Sequence, residues 1–107
     1  TRVVGAGDRK IKKVALLCGD GNRFVRNAVS LGADVMVTGD VYYHTALDAL
    51  QDSIALIDPG HNATERLAGK IWQEAIAAKI EESKSKDTIE VLVSEVSTEP
   101  FRFLSAD

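Results

Sequence analysis

Short apolar runs alternate with helical stripes along this chain, and that alternation restricts it to few architectures. Val14 to Cys18, Val35 to Val37 and Ile54 to Ile57 are continuous apolar runs, each too short to be a buried helix. Each is closed by a turn-forming cluster: Gly19-Asp20-Gly21-Asn22, Thr38-Gly39-Asp40 and Asp58-Pro59-Gly60. The first run reads as a strand buried on both faces. A helix is predicted after Asn22, with Phe24, Val25, Ala28, Val29 and Leu31 as its buried stripe and Gly32 as its stop. Tyr42 to Leu50 reads as a second helix, with Ala46, Leu47 and Leu50 inward. A third runs from about Asn62 to Glu82, with Leu67, Ile71, Ala75, Ile76 and Ile80 in helical period and Trp72 beside them as core. Ser83 to Asp87 is a polar turn, Ile89 to Ser94 alternates as a partly exposed strand, and Thr98 to Phe103 is an extended tail. The order β-α-β-α-β-α-β predicts an α/β fold, a mainly parallel sheet of about four strands flanked by helices.

The chain has 107 residues, enough for one modest core, so residues 1–107 are expected to form a single α/β segment. Residues 1–12, rich in glycine and basic side chains, read as an incoming linker. The start at Thr1 suggests a piece of a longer protein. With 45% hydrophobic and 27% charged residues the composition is that of a soluble globular protein. A formal charge of −3 gives no electrostatic case for nucleic acid. Arg9, Lys10, Lys12 and Lys13 read as a solvated lead-in to the first long strand. Cys18 is the one cysteine, which excludes an internal disulfide; its expected place is buried in a strand, in a reducing cytoplasmic setting. There is no signal peptide and no run long enough to span a bilayer.

If the three strands are parallel, the loops that follow them meet at one edge of the sheet, where α/β proteins build sites. That edge would gather Asp20, Asp40, His44, His61 and Glu65, including both histidines of the chain. His61 and Glu65 stand four apart, as do Asp40 and His44, a spacing that puts each pair on one helix face. An imidazole and a carboxylate so placed are workable metal ligands. Asn62 followed by Glu65 is equally a capping-box pattern, which would explain Glu65 without a metal. Asp40 can be a helix-entry residue and His44 a surface histidine beside Tyr42 and Tyr43. Gly19-Asp20-Gly21 falls short of a dinucleotide fingerprint because Phe24 occupies the third glycine position, so a tight turn is the better reading. The serines lie in helix ends and turns without a nucleophile elbow. Any catalysis is therefore expected to use metal-activated water, with a non-ligand histidine moving protons.

Four ordered segments resemble a known family. Val14 to Gly19 with its glycine turn, Thr38-Gly39-Asp40-Val41-Tyr42-Tyr43-His44, Asp58-Pro59-Gly60-His61-Asn62-Ala63-Thr64-Glu65 and Thr98-Glu99-Pro100-Phe101 look like the Nif-three-like family. Its bacterial members carry the label GTP cyclohydrolase I type two homolog. The resemblance covers nearly the whole chain and only the C-terminal half of such a protein.

The resemblance implies two similar α/β halves flanking a site for two divalent metal ions, assembled as a ring-shaped homohexamer. It implies that His61 and Glu65 are metal ligands, with Asp40 near the site and His44 a candidate for proton transfer. The donor types suit zinc, manganese or iron. The family's adjacent histidine pair and its further aspartate lie in the N-terminal half, and this chain has no adjacent histidines. The N-terminal half is thus an implied partner, and the isolated chain is expected to bind metal weakly and to be inactive. The label implies hydrolytic opening of a purine nucleotide ring at C8. A regulatory or interaction protein, with metal serving assembly, is the other function the resemblance allows.

Overall fold

A computed structural model describes residues 1–5, 7–84 and 88–102. The chain divides into two compact units, Thr1–Arg66 and Leu67–Asp107.

The first unit is a four-stranded sheet carrying short helices. In chain order it contains β1 (Arg2–Val4), β2 (Val14–Asp20), a single 3-10 turn (Asn22–Phe24), α1 (Val25–Ser30), β3 (Val35–Gly39), α2 (Tyr43–Gln51), β4 (Ala55–Asp58) and α3 (His61–Glu65). The strands lie in the order β1-β4-β3-β2. β2, β3 and β4 are parallel, with Leu16, Val37 and Ile57 in register, and β1 pairs antiparallel with β4. The α/β class, the parallel core and the strand count agree with the sequence reading. The fourth strand does not: its place is taken by Arg2–Val4, inside the segment expected to be a linker. Arg2 fixes that short strand by bonding the Asp58 carboxylate and the Val41 carbonyl.

The core lies on one face of the sheet, where Met36 and Leu56 meet Val25 and Ala28 of α1 and Ala49 of α2. Small residues dominate the helical side, so the helices sit close to the sheet. Phe24, Leu31, Leu47 and Leu50, expected in the buried stripes, are exposed. The helices are too short to bury more than one narrow line of residues. Both α1 and α2 end in the same paired hydrogen bonds, Ala33 to Ala28 with Gly32 to Val29, and Ile54 to Ala49 with Ser53 to Leu50.

β2 differs from the expected doubly buried strand. It is an edge strand, with Ala15 and Leu17 turned partly into the core and Val14, Leu16 and Cys18 exposed. Cys18 is therefore an exposed free thiol rather than a buried one. The lead-in to β2 is held by Asp34, whose carboxylate accepts the amides of Lys12 and Lys13, each at 2.8 Å. Lys13 donates to the Leu31 carbonyl and Arg9 to that of Ser53, so two of the four basic side chains hold the backbone.

The expected helix from Asn62 to Glu82 is two helices. The Thr64 hydroxyl donates to the His61 carbonyl, competing with the backbone ladder, and α3 stops at Glu65. In the second unit α4 (Leu67–Glu82) buries none of its residues, and Trp72, expected in the core, is 65% exposed. The segment from residue 88 to 102 has neither helix nor strand, so the expected strand at Ile89 to Ser94 is absent. Its backbone meets α4 instead, through a 2.7 Å bond from the Gln73 amide to the Val91 carbonyl. A single extended segment covers only a strip of a helix, which leaves the α4 stripe largely bare. Residues 85–87 of the expected turn and Phe103 of the tail lie outside the described residues. Among the described residues no helix is long and apolar enough to cross a membrane.

Candidate functional site

The carboxyl ends of β2, β3 and β4 do share one edge, and the loops that leave them meet there. At its centre is His61, the first residue of α3. Its Nδ1 lies 2.7 Å from Asp40 Oδ2 and its Nε2 lies 3.2 Å from Glu65 Oε1. All three side chains are about half exposed.

Local sequence explains this placement. Pro59 and Gly60 turn the chain out of β4, and Gly60, at φ +99, is the residue before α3. No side chain caps this helix. Glu65 is turned to His61, its Oε1 facing Nε2. Thr64 locks the helix to the sheet: its hydroxyl accepts the Gly19 amide at 2.8 Å and donates to the His61 carbonyl. Gly19, at φ +68, passes directly beneath the pair, and a Cβ there would stand 2.6 Å from Glu65 Oε1 and 3.1 Å from His61 Nε2. A side chain at this position would both strain the backbone and displace the Glu65 carboxylate.

The protonation of His61 follows from its partners. An ionised carboxylate only accepts hydrogen bonds, so Asp40 requires a proton on Nδ1. Glu65 then faces Nε2, where a second proton or another cation would complete the pair. The Asp40 hydrogen bond and the nearby Glu65 and Asp40 charges raise the His61 pKa above its ordinary value, although desolvation opposes them. The same geometry suits a metal ion in place of the second proton. Two donors held by one ion at about 2.1 Å stand roughly 3.0–3.4 Å apart, which the Nε2–Oε1 distance matches. Asp40 on the opposite nitrogen is the usual orienting partner of a ligating histidine. Among the described residues, no group of three or more His, Cys, Asp or Glu side chains is arranged to hold a metal. The donor set fits part of a metal site.

The other expected members are placed differently. Asp20 reaches the site indirectly, accepting the Tyr42 hydroxyl at 2.6 Å and the Asn22 amide at 3.0 Å. These bonds, the tyrosine's first, lower the Asp20 pKa from 3.8 to about 2. His44 is exposed in the first turn of α2 and meets the Tyr43 ring edge-on at 5.5 Å; it makes no hydrogen bond to the His61 cluster among the described residues. Asn22, Tyr42 and Thr64 were not singled out from the sequence. Their contribution lies in bonds between loops some twenty or more residues apart, for which spacing gives no signal.

A family model described as Duf34/NIF3 (NGG1p interacting factor 3) matches residues 1–100. The chain belongs to the Duf34/NIF3 family. A protein of Halalkalibacterium halodurans named "GTP cyclohydrolase 1 type 2 homolog" is 47% identical over 106 residues, and its namesake in Bacillus subtilis is 43% identical over 105. Each match takes in 96% of this chain and 27% of the relative, so the chain spans about a quarter of the length of these Duf34/NIF3 relatives. The structure of a Bacillus cereus protein related to NIF3 superposes with a TM-score of 0.87 at 42% identity, over 96% of this chain and 28% of that one. A hypothetical protein of Staphylococcus aureus gives 0.88 at 35% identity, over 96% and 33%.

Proposed function

We propose that this chain supplies one side of a divalent-metal centre in a hydrolase-like Duf34/NIF3 protein acting on a nucleotide. The observation that supports it is the approach of His61 Nε2 to Glu65 Oε1 at 3.2 Å, with Asp40 on the other ring nitrogen. His61 and Glu65 would hold the metal, zinc, manganese or iron by their chemistry. The remaining ligands, for two ions in the complete centre, would come from the three quarters of the relatives' length that this chain does not span.

Held by His61 and Glu65, a divalent ion would supply a bound water with a pKa of about 7 and a Lewis acid for a substrate oxygen. The chain's own residues supply the rest. Asp40 keeps the proton on Nδ1, which leaves the Nε2 lone pair directed outward beside Glu65. His44, free of the cluster and exposed, is available for proton transfer to a substrate spanning the edge. The relatives' name suggests GTP as a nucleotide to test first. The longer protein would assemble as a ring-shaped homohexamer.

The test is metal binding by the chain, titrated with zinc, manganese and ferrous iron and checked by elemental analysis. Weak binding, near one ion per chain, should disappear in His61→Ala and in Glu65→Gln. Binding that is indifferent to both substitutions would end this reading. In the longer protein, His61→Ala should abolish nucleotide hydrolysis and leave the oligomer intact; if the assembly itself fails instead, the metal serves structure.

A further inference from the structure

We propose that Asn22 is the positioning residue of the His61 site, acting through Asp40. This rests on His61 being the reactive or ligating imidazole of the proposed function.

Among the described residues, Asp40 is one of three non-glycine residues with positive φ, at +54. Aspartate is one of the few side chains that accept this left-handed conformation, and here neighbouring bonds hold it. The Asn22 side chain is what brackets it. Its Nδ2 donates to the Asp40 carbonyl at 2.8 Å, and its Oδ1 accepts the Tyr42 amide at 2.9 Å. The two bonds grip the backbone on both sides of the turn, and their polarity fixes the orientation of the amide. Reversing it would set an NH2 group against the Tyr42 N–H and the amide oxygen against the Asp40 carbonyl. Asn22 is itself anchored: Asp20 Oδ1 accepts both its backbone and its side-chain N–H, and Asp20 Oδ2 accepts the Tyr42 hydroxyl at 2.6 Å. The loop after β2 thus clamps the loop after β3, and the product of the clamp is one carboxylate oxygen 2.7 Å from His61 Nδ1. Among the described residues, the hydrogen bonds of the Asn22 side chain go to Asp20, Asp40 and Tyr42. Its effect on His61 is to fix which ring nitrogen carries the proton.

The experiment uses the metal-free chain and zinc as probe. Long-range 15N–1H correlation of the imidazole, at a pH where the ring is neutral, reads the His61 tautomer. In the parent chain Nδ1–H should dominate. Asn22→Ala should give a mixture of tautomers and weaken zinc binding about tenfold, the usual scale for losing an orienting partner. If Asn22→Ala unfolds, Asn22→Asp replaces it, keeping the size and the acceptor for the Tyr42 amide and losing the donor to Asp40. An unchanged tautomer overturns the proposal, whatever happens to affinity. A shifted tautomer in a chain whose parent binds no zinc would sustain Asn22 as the positioning residue and remove the metal reading instead.

Discussion

Asp58 and Arg2 form an ion pair in which the carboxylate is 4% exposed and the guanidinium 68% exposed. The same carboxylate accepts the Val41 amide at 3.0 Å and the Gly60 amide at 2.9 Å. One side chain therefore ties the edge strand to the two loops that present Asp40 and His61.

Removing it should cost more than removing its exposed partner. Asp58→Ala leaves two enclosed N–H groups without acceptors, each worth about 1–3 kcal/mol. A loss of roughly 2–4 kcal/mol is expected by urea unfolding, against about 1 kcal/mol or less for Arg2→Ala. Equal losses would mean that the ion pair, not the two amides, does the holding.

The pair also sets an acid limit. Burial alone would raise the Asp58 pKa, but the Val41 and Gly60 amides and then Arg2 bring it below the ordinary value. A carboxyl lowered on folding stabilises the chain above its unfolded pKa of about 3.9 and loses that contribution as pH falls through the folded value. Asp58→Asn should flatten the stability profile below about pH 4. The measurement is urea midpoint against pH for both chains.

Gly19 and Gly60 separate crowding from backbone strain. Both have positive φ, so alanine at either should destabilise by about 1–2 kcal/mol. A Cβ at residue 60 meets nothing within 4 Å, whereas at residue 19 it stands 2.6 Å from Glu65 Oε1. Gly19→Ala should therefore also push Glu65 from His61 and abolish zinc binding, while Gly60→Ala leaves affinity within a few fold. Calorimetric zinc titration of the two variants decides it.

The sequence showed most of the sheet because β3 and β4 are interior strands whose residues are buried or half-buried throughout. Val14 to Cys18 has the same apolar appearance, yet Leu16 is exposed at the sheet's edge: a continuous apolar run shows that a face can be covered, not what covers it. The converse holds at Arg2–Val4, where three residues carry too little pattern to announce a strand and one distant carboxylate fixes them. Ile89 to Ser94 has strand-like residues yet takes neither helix nor strand conformation. At the site, Asp40, His61 and Glu65 were legible because loops after parallel strands converge. His44, with the same spacing logic, points to Tyr43 instead.

The two faces of the sheet should respond differently to truncation. Leu56 is 0% exposed against Met36 and the helices, and Leu56→Ala should cost about 2–5 kcal/mol. Leu16 is 72% exposed, and Leu16→Ala should fall within about 0.5 kcal/mol. A large loss at Leu16 in dilute solution would show that the chain covers this face by self-association, which sedimentation would detect.

Tyr42 offers a way to read the loop clamp without touching the metal-binding side chains. Its hydroxyl is the largest influence holding the Asp20 carboxyl near 2, followed by the Asn22 side chain and amide. The bond in turn raises the Tyr42 pKa, since ionising the phenol would set two anions together. Tyr42→Phe removes that one donor and leaves the Asn22 bonds, so Asp20 should titrate closer to 3.8 yet still below it. Because Asp20 lies at the exposed surface, solvent screens the change and the stability effect should be small. Carboxyl 13C shifts followed from pH 1.5 to 6 measure the midpoint directly. If Asp20 stays near 2 in Tyr42→Phe, Asn22 alone holds the loop; if it rises fully to the ordinary value, the Asn22 bonds depend on the tyrosine and the clamp acts as one unit.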